Sequence, residues 1–109
     1  MKYIIVKKKK IKIKTLASFN DRVKSVRFVL DTITDGYYFP KKKRINTYFF
    51  CQRVNIYQVD ENNKILYCYL NVKTEKFILK KKKVKSIFIL PVFIKDYYKI
   101  GDVIKMEEV

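Results

Sequence analysis

Several residue types that carry chemistry are missing or scarce in this chain. It has no histidine and no tryptophan, and its two glycines, Gly36 and Gly101, are far apart. Without histidine an enzyme lacks its usual general base, and two distant glycines cannot form a glycine-rich phosphate loop. The two cysteines, Cys51 and Cys68, cannot complete an ordinary four-ligand zinc site. We therefore expect a non-catalytic protein without metal or cofactor.

Long apolar runs are absent as well. The longest, residues 87–94, is interrupted by Pro91 and is too short to span a membrane. The apolar stretch near Met1 is too short for the core of a secretory signal. Both cysteines are most simply read as reduced thiols of an intracellular protein. We expect a cytoplasmic protein with no membrane partner.

Acidic residues are few, and the imbalance is large. Lysine and arginine total 26 against 10 acidic residues, so the 109-residue chain carries a net charge of +16, which indicates an anionic partner. A/T-rich codons, which also encode Ile, Asn, Tyr and Phe, offer a compositional explanation for part of the lysine. The same bias would supply glutamate, which occurs only at Glu61, Glu75, Glu107 and Glu108.

The lysines concentrate in three blocks. IIVKKKKIKIK at 4–14 and FILKKKKVKSI at 77–87 place three apolar residues before four lysines, and KKKR occupies 41–44. Such blocks attract phosphates without reading sequence, because base reading normally uses arginine. They also serve to protect strand edges from aggregation, an alternative that stays open. The candidate phosphate contacts are Lys7, Lys8, Lys9, Lys10, Lys41, Lys42, Lys43, Arg44, Lys80, Lys81, Lys82 and Lys83.

The rest of the composition favours strands, because β-branched and aromatic residues dominate. We predict one mainly β domain: a small curved antiparallel sheet or partly open barrel, similar in scale to an OB fold or an SH3 barrel. The predicted strands lie near 2–6, 9–14, 45–59, 64–72, 76–80, 84–90 and 102–107, with loops at 34–44, 60–63 and 91–101. Asp35-Gly36 is interpreted as a turn.

Residues 16–33 fit two structures. Apolar residues from Leu16 to Ile33 follow helical spacing, which favours one helix near 18–32 and an α+β class. The β-branched residues of 23–34 and the following Asp35-Gly36 favour a strand and hairpin instead.

Residues 48–73 predict a hairpin. A three-residue loop, Glu61-Asn62-Asn63, with Asn63 in the left-handed conformation, pairs Ile56 with Cys68 and puts the two cysteines on opposite faces. The outward face then carries tyrosines for base stacking, cations for phosphates and asparagines for base edges. Its residues are Arg53, Asn55, Tyr57, Tyr67, Tyr69, Asn71 and Lys73. The alternative is a purely structural face of cross-strand aromatic pairs.

These features predict a nucleic-acid-binding protein that prefers single-stranded DNA or RNA with little sequence specificity. The first alternative is a viral or mobile-element protein, acting in host cytoplasm, that binds an acidic patch or nucleic-acid channel of a host defence protein. The second is a metal-dependent nuclease built on Asp96 or Asp102. Two weaker aromatic–basic clusters, at Tyr37-Tyr38 and Tyr97-Tyr98, suit loop anchors equally well. Exposed strand edges are compatible with a homodimer.

Overall fold

The architecture follows from short apolar strands joined by charged connections. The computed structural model describes residues 2–6, 9–15, 35–41, 44–46, 53–73, 76–94 and 97–108. Within these ranges no α-helix occurs, and one 3-10 turn spans Val92–Ile94. The strands are β1 Lys2–Val6, β2 Lys9–Thr15, β3 Gly36–Phe39, β4 Ile45–Asn46, β5 Val54–Val59, β6 Ile65–Val72, β7 Phe77–Ile78, β8 Ser86–Leu90 and β9 Glu107–Glu108.

Six strands form one open mixed sheet in the order β6-β5-β8-β3-β2-β1, and the two-residue β9 extends it beyond β1. Neighbours run antiparallel except β2 and β3, which are parallel. A parallel pair needs a crossover connection of a dozen residues or more, and residues 16–34 link these two strands. The question of helix or strand at 16–33 falls outside the described residues.

Both faces of the central strands are buried, because each face has its own apolar cluster. The interior cluster includes Ile4, Ile11, Tyr57, Phe88 and Leu90. On the opposite face, the β4–β7 ribbon covers β5 and β8 with its buried residues Ile45 and Ile78. Every residue of β5 and β8 is consequently buried.

The C-terminal segment connects the two edges of the sheet. The backbone N–H of Ile65 donates to Asp102 O (2.8 Å), and that of Ile104 donates to Asn63 O (3.0 Å). Farther along the same segment, β9 pairs with β1. The predicted mainly β class is therefore confirmed, and the sheet is open, but it is mixed rather than wholly antiparallel because β2 and β3 run parallel.

The predicted loop at 34–44 is wrong for residues 36–39, which form β3. Gly36 serves close packing inside the sheet rather than a turn. A Cβ at this position would lie 2.5 Å from Ile13 Cδ1 and 2.7 Å from Leu90 Cδ2. A glycine in a strand often marks such a close approach.

The β5–β6 hairpin begins in the predicted register and then departs from it. Asn63 has φ 61° and Val59 pairs with Ile65, as a three-residue loop requires. A bulge then shifts the pairing by one residue, so that Gln58 faces Tyr67 and Tyr57 faces Cys68. A shift of one residue moves every side chain to the other face. The predicted face of Tyr57 beside Tyr67 is therefore not formed.

Candidate nucleic-acid interface

The lysine block at 80–83 lies in the connection from β7 to β8. All four lysines are exposed. The backbone N–H of Val84 donates to Lys81 O (3.2 Å), and that of Lys85 donates to Val59 O (2.8 Å), which joins the connection to the end of β5. Lys83 adopts a left-handed φ of 71°, so the backbone presents these charges in a tight turn.

The block at 41–44 lies at the same end of the sheet, since β3 runs antiparallel to β8 and Phe39 pairs with Ile87. The Ser86 hydroxyl accepts the Lys41 backbone N–H (3.4 Å) and the Tyr38 hydroxyl (3.3 Å). Arg44 is exposed, while Lys42 and Lys43 lie outside the described residues. We define the basic end as Lys41, Arg44, Lys64, Lys80–Lys83 and Lys85, all of them exposed.

The described part of the block at 7–10, Lys9 and Lys10, lies at the opposite end of the sheet. Val6 pairs with Lys9 where β1 ends and β2 begins, and β2 runs towards the basic end, with Thr15 beside Tyr38. Lys10 is exposed and its Nζ lies 4.7 Å from the Tyr3 ring centroid. Lys7, Lys8 and the Lys9 side chain lie outside the described residues.

Beside the basic end, β6 carries an aromatic surface. Tyr67 is 37% exposed, and Lys81 Nζ lies 5.4 Å from its ring centroid, within cation–π range. Leu79 is 65% exposed on the neighbouring connection, and Tyr69 is half-buried. We call Tyr67, Tyr69, Leu79 and Lys81 the Tyr67 patch.

A buried glutamine holds this patch together. Gln58 is fully buried on β5. Its Nε2 donates to Leu79 O (2.8 Å), and its Oε1 accepts the Tyr69 hydroxyl (3.0 Å). One side chain thus fixes the connection carrying the lysines relative to the strand carrying the tyrosines. Because buried polar groups are costly unless paired, both bonds oppose displacement of either segment.

Two predicted binding residues are instead in the core. Tyr57 is 0% exposed and contacts the Tyr98 ring edge-to-face at 6.1 Å. Burial raises its pKa, and Asn55 acts in the opposite direction. Asn55 is also fully buried; its Nδ2 donates to Pro91 O (3.2 Å) and its Oδ1 accepts the Asn71 N–H (2.9 Å). The predicted exposure of Tyr57 and Asn55 is wrong because β5 is a central strand covered on both faces and has no solvent face.

Arg53, Asn71 and Lys73 are exposed but lie away from the Tyr67 patch. Val54 pairs with Val72, so these residues gather where β5 begins and β6 ends. That is the opposite end of both strands from the basic end. The structure therefore divides the predicted platform into Tyr67 and Tyr69 at one end, and Arg53, Asn71 and Lys73 at the other.

The remaining candidates are the tyrosines of the two weaker aromatic–basic clusters and the two aspartates of the nuclease hypothesis. Tyr37 is buried, and Tyr38 stacks on Phe88 at 4.7 Å. Tyr98 is buried, whereas Tyr97 is 40% exposed. Asp102 Oδ2 accepts the Lys99 N–H (2.8 Å) and so stabilises a turn; Asp96 lies outside the described residues.

The described ranges hold no group of three potential metal ligands. Cys68 is a free thiol facing the interior cluster, and burial raises its pKa. No helix in the same ranges combines the length and apolar character needed to cross a membrane.

Sequence reasoning missed Gln58, Leu79, Lys64 and Lys85. Gln58 was visible as a polar residue on an otherwise apolar strand face, which is a signal for a buried hydrogen bond. Its partners are 11 and 21 residues away in the chain, so local pattern does not identify them.

Two solved structures resemble the chain closely in fold. A protein of unknown function from Novosphingobium aromaticivorans has a TM-score of 0.74 at 12% identity, over 98% of this chain and 83% of its own. A Sinorhizobium meliloti protein, provisionally described as a transcription regulator, has a TM-score of 0.72 at 9% identity, over 97% and 90%. No protein-family model and no curated protein matches the chain. At these identities the likeness establishes the fold.

Proposed function

We propose that the protein binds nucleic acid, preferring single strands of DNA or RNA, at the Tyr67 patch and the adjoining basic end. The observation that carries the proposal is the exposed Tyr67 ring beside Lys81. The neighbouring Tyr69 and Leu79 of the same patch are fixed by the Gln58 hydrogen bonds. Aromatic faces stack bases of any sequence, and lysines neutralise the phosphates that follow. The fold shared with a provisionally described transcription regulator is compatible with this role.

The Lys81 ammonium does not block stacking on Tyr67. An exposed cation–π contact contributes about 0.5–1 kcal/mol, whereas a stacked base contributes about 1–3 kcal/mol. A base arriving on the ring therefore displaces the ammonium favourably, and Lys81 turns to the phosphate. Single strands suit this patch because their bases reach the ring without the cost of opening a duplex.

Fluorescence polarisation with a labelled single strand tests the proposal. Tyr67→Ala should weaken binding by roughly tenfold, the loss of one stacked base, while Tyr67→Phe keeps the ring and the affinity. Tyr97→Ala is the matched control, because Tyr97 has similar exposure but is not part of the patch. Affinity should fall as the salt concentration rises. The logarithm of the binding constant should decrease by about 0.7 for each phosphate contact when the salt concentration increases tenfold.

Two outcomes would count against the proposal. The first is the absence of binding to any oligonucleotide at low salt. The second is equal loss of affinity in Tyr67→Ala and Tyr97→Ala, which would return Tyr67 to a structural role. A stoichiometric protein partner recovered from nuclease-treated lysate, without oligonucleotide binding, would favour an acidic protein surface as the target of the basic end.

A further inference from the structure

The outer edge of β6 differs from the rest of the chain in charge. The strand reads ILYCYLNV over Ile65–Val72 and includes no charged residue, proline or glycine, although 33% of the chain is charged. It is the terminal strand of the sheet, whereas β9 at the opposite edge consists of two glutamates. Proteins usually protect an edge strand with lysine or proline, because its unpaired backbone groups bind other strands. The absence of such residues from this edge, in a lysine-rich chain, indicates that the edge is used for pairing.

The chain itself pairs a short segment with the beginning of this edge. Lys64 and Val103 form an antiparallel bridge. The backbone N–H of Ile65 donates to Asp102 O, and that of Gly101 donates to Ile65 O, both at 2.8 Å. The outer side of β6 is therefore able to accept an antiparallel strand.

The rest of the edge, residues 66–72, is open on its outer side. A turn at 99–102 brings the C-terminal segment onto the edge at Ile65. Beyond that residue, no strand within the described ranges pairs with the outer side of β6. Tyr67 and Leu70 are 37% and 45% exposed. The register shifts against β5 lie towards the two ends of β6, and the pairing between these shifts is regular.

The net charge determines which kind of strand fits this edge. A second copy of the chain would bring another charge of +16 and would be repelled, whereas an acidic segment is attracted. The net charge counts every residue of the chain, so this preference does not depend on how single side chains are paired.

The cations beside the edge favour the same partner. Lys64 directly precedes β6, and Lys81 Nζ lies 5.4 Å from the Tyr67 ring centroid. The described carboxylates at this end of the sheet are those of Asp60, Glu61 and Asp102. The eight cations of the basic end outnumber them, so acidic side chains of an added strand meet a positive potential.

We propose that the β6 edge binds an extended, acidic peptide segment of a partner protein, which joins the sheet as an antiparallel strand. Main-chain hydrogen bonds to β6 provide affinity, and alternate acidic side chains reach the lysines of the basic end. The interaction goes beyond the proposed nucleic-acid binding and does not rest on it, because it uses the edge of β6 rather than the Tyr67 ring. Lys81 and its neighbours serve both ligands, so each ligand is tested alone.

Peptides that differ only in backbone methylation test the strand pairing. The probe alternates valine and glutamate over eight residues, the length of β6. Backbone N–H groups of a strand point alternately to its two edges. N-methylation of the valines therefore blocks one edge of the peptide, and N-methylation of the glutamates blocks the other, at constant charge. Fluorescence polarisation should show binding of the parent peptide, a loss of affinity of roughly tenfold or more in one isomer, and retained affinity in the other.

Hydrogen exchange and a matched pair of variants locate the bound peptide. Amides of residues 66–72 should exchange more slowly with the peptide bound, while those of β1 should not change. Leu70→Glu places a like charge beside the peptide and should weaken its binding by about fivefold. Ile5→Glu is the control, because Ile5 is 43% exposed, close to the 45% of Leu70, but lies on β1. It should bind the peptide like the unaltered protein.

Four outcomes would overturn the proposal. The first is no binding of the parent peptide, and the second is equal affinity of the two methylated isomers, which would mean that no specific main-chain pairing occurs. The third is equal binding of a peptide that alternates valine and lysine. The fourth is protection of residues 66–72 by raised protein concentration, or by an oligonucleotide, but not by the peptide. That result would assign the edge to a second copy or to nucleic acid. Loss of oligonucleotide binding, by contrast, concerns the proposed function alone.

Discussion

The Tyr57 hydroxyl is a buried polar atom without a hydrogen-bond partner among the described residues. Asn55 is close enough to affect its pKa, but the amide donates to Pro91 O and accepts from Asn71. We attribute the hydroxyl's position to the ring, which fills the interior beside Tyr98. An unpaired buried hydroxyl costs about 1–3 kcal/mol.

Tyr57→Phe should therefore raise the free energy of unfolding by about 1 kcal/mol at neutral pH, because it keeps the ring and removes the unpaired group. Urea denaturation measures the change. Tyr97→Phe is the control, since Tyr97 is 40% exposed and its hydroxyl carries no such burial cost. A loss of stability in Tyr57→Phe would mean that the hydroxyl has a partner outside the described residues.

The same variant should alter alkaline unfolding. Burial raises the pKa of Tyr57, and raises that of Tyr98 to about 12. A tyrosine whose pKa is higher in the folded state contributes stability that is complete below the unfolded value of about 10 and is lost as the pH rises through the folded value. Each such group contributes a slope of up to about 1.4 kcal/mol per pH unit.

Between about pH 10 and pH 12, Tyr57→Phe should lose stability less steeply with pH than the unaltered protein. Lysine titration is common to both proteins, so the difference isolates Tyr57. Equal slopes in urea denaturation across this range would show that Tyr57 does not titrate differently on folding.

The role of a single residue can be predicted from the sequence where the local backbone conformation determines which residue is needed. Asn63 takes the left-handed φ of 61° that a three-residue hairpin loop demands. Gly36 was misjudged because Asp-Gly is a common turn dipeptide, while the reason for glycine here is contact with Ile13 and Leu90, residues distant in the chain. Local pattern does not contain that information.

At the scale of elements, the central position of β5 explains most of the error in the predicted site. The hairpin and its loop were predicted, but the register shifts by one residue between Val59 and Gln58 and by one more between Ile56 and Val54. A pattern of polar and apolar residues assumes one solvent face, and β5 has none because the β4–β7 ribbon covers it. The ribbon is formed by two short strands, one before and one after the β5–β6 hairpin, so the pattern of the hairpin alone does not predict this cover.

The Gln58 hydrogen bonds connect three elements: β5, β6 and the connection that carries Lys80–Lys83. Gln58→Ala should lower the free energy of unfolding by about 1–3 kcal/mol, because it leaves polar partners unpaired. It should also speed hydrogen exchange in residues 79–85. Tyr69→Phe removes only one of the bonds and should cost about 1 kcal/mol.

The Gln58 hydrogen bonds should also affect the affinity for oligonucleotides. Gln58→Ala should weaken binding more than Tyr69→Phe does, since only Gln58 positions the lysine connection as well as the tyrosine. Unchanged exchange in residues 79–85 of Gln58→Ala would show that the connection is held by its other contacts, such as Lys85 N–H to Val59 O.

At the scale of the whole molecule, composition alone gives the net charge of +16. It does not predict that the lysine blocks lie at opposite ends of the sheet. Blocks 7–10 and 80–83 look alike in sequence, yet β2 and β8 begin at opposite ends of the sheet. Their arrangement depends on the parallel pairing of β2 with β3, which residues 16–34 make possible and which local pattern does not reveal.

The net charge opposes the compact state through self-repulsion. Raising sodium chloride from low to physiological concentration should therefore raise the melting temperature, because screening relieves that repulsion. Each 1 kcal/mol corresponds to about 4–8 °C in a domain of this size. The Lys81, Lys82 and Lys83→Gln variant, with a net charge of +13 (16 minus 3), should show a smaller rise.

Salt should act with the opposite sign once a single strand is present. At low salt the bound oligonucleotide stabilises the folded state by mass action, by about 2.7 kcal/mol at a hundred times the dissociation constant. Added salt weakens the complex by restoring counterion competition, so this stabilisation disappears while the free protein becomes more stable. Differential scanning fluorimetry should therefore give two curves of melting temperature against salt concentration, one with and one without oligonucleotide, that converge as salt rises. Parallel curves would mean that the stabilisation by oligonucleotide does not depend on phosphate contacts.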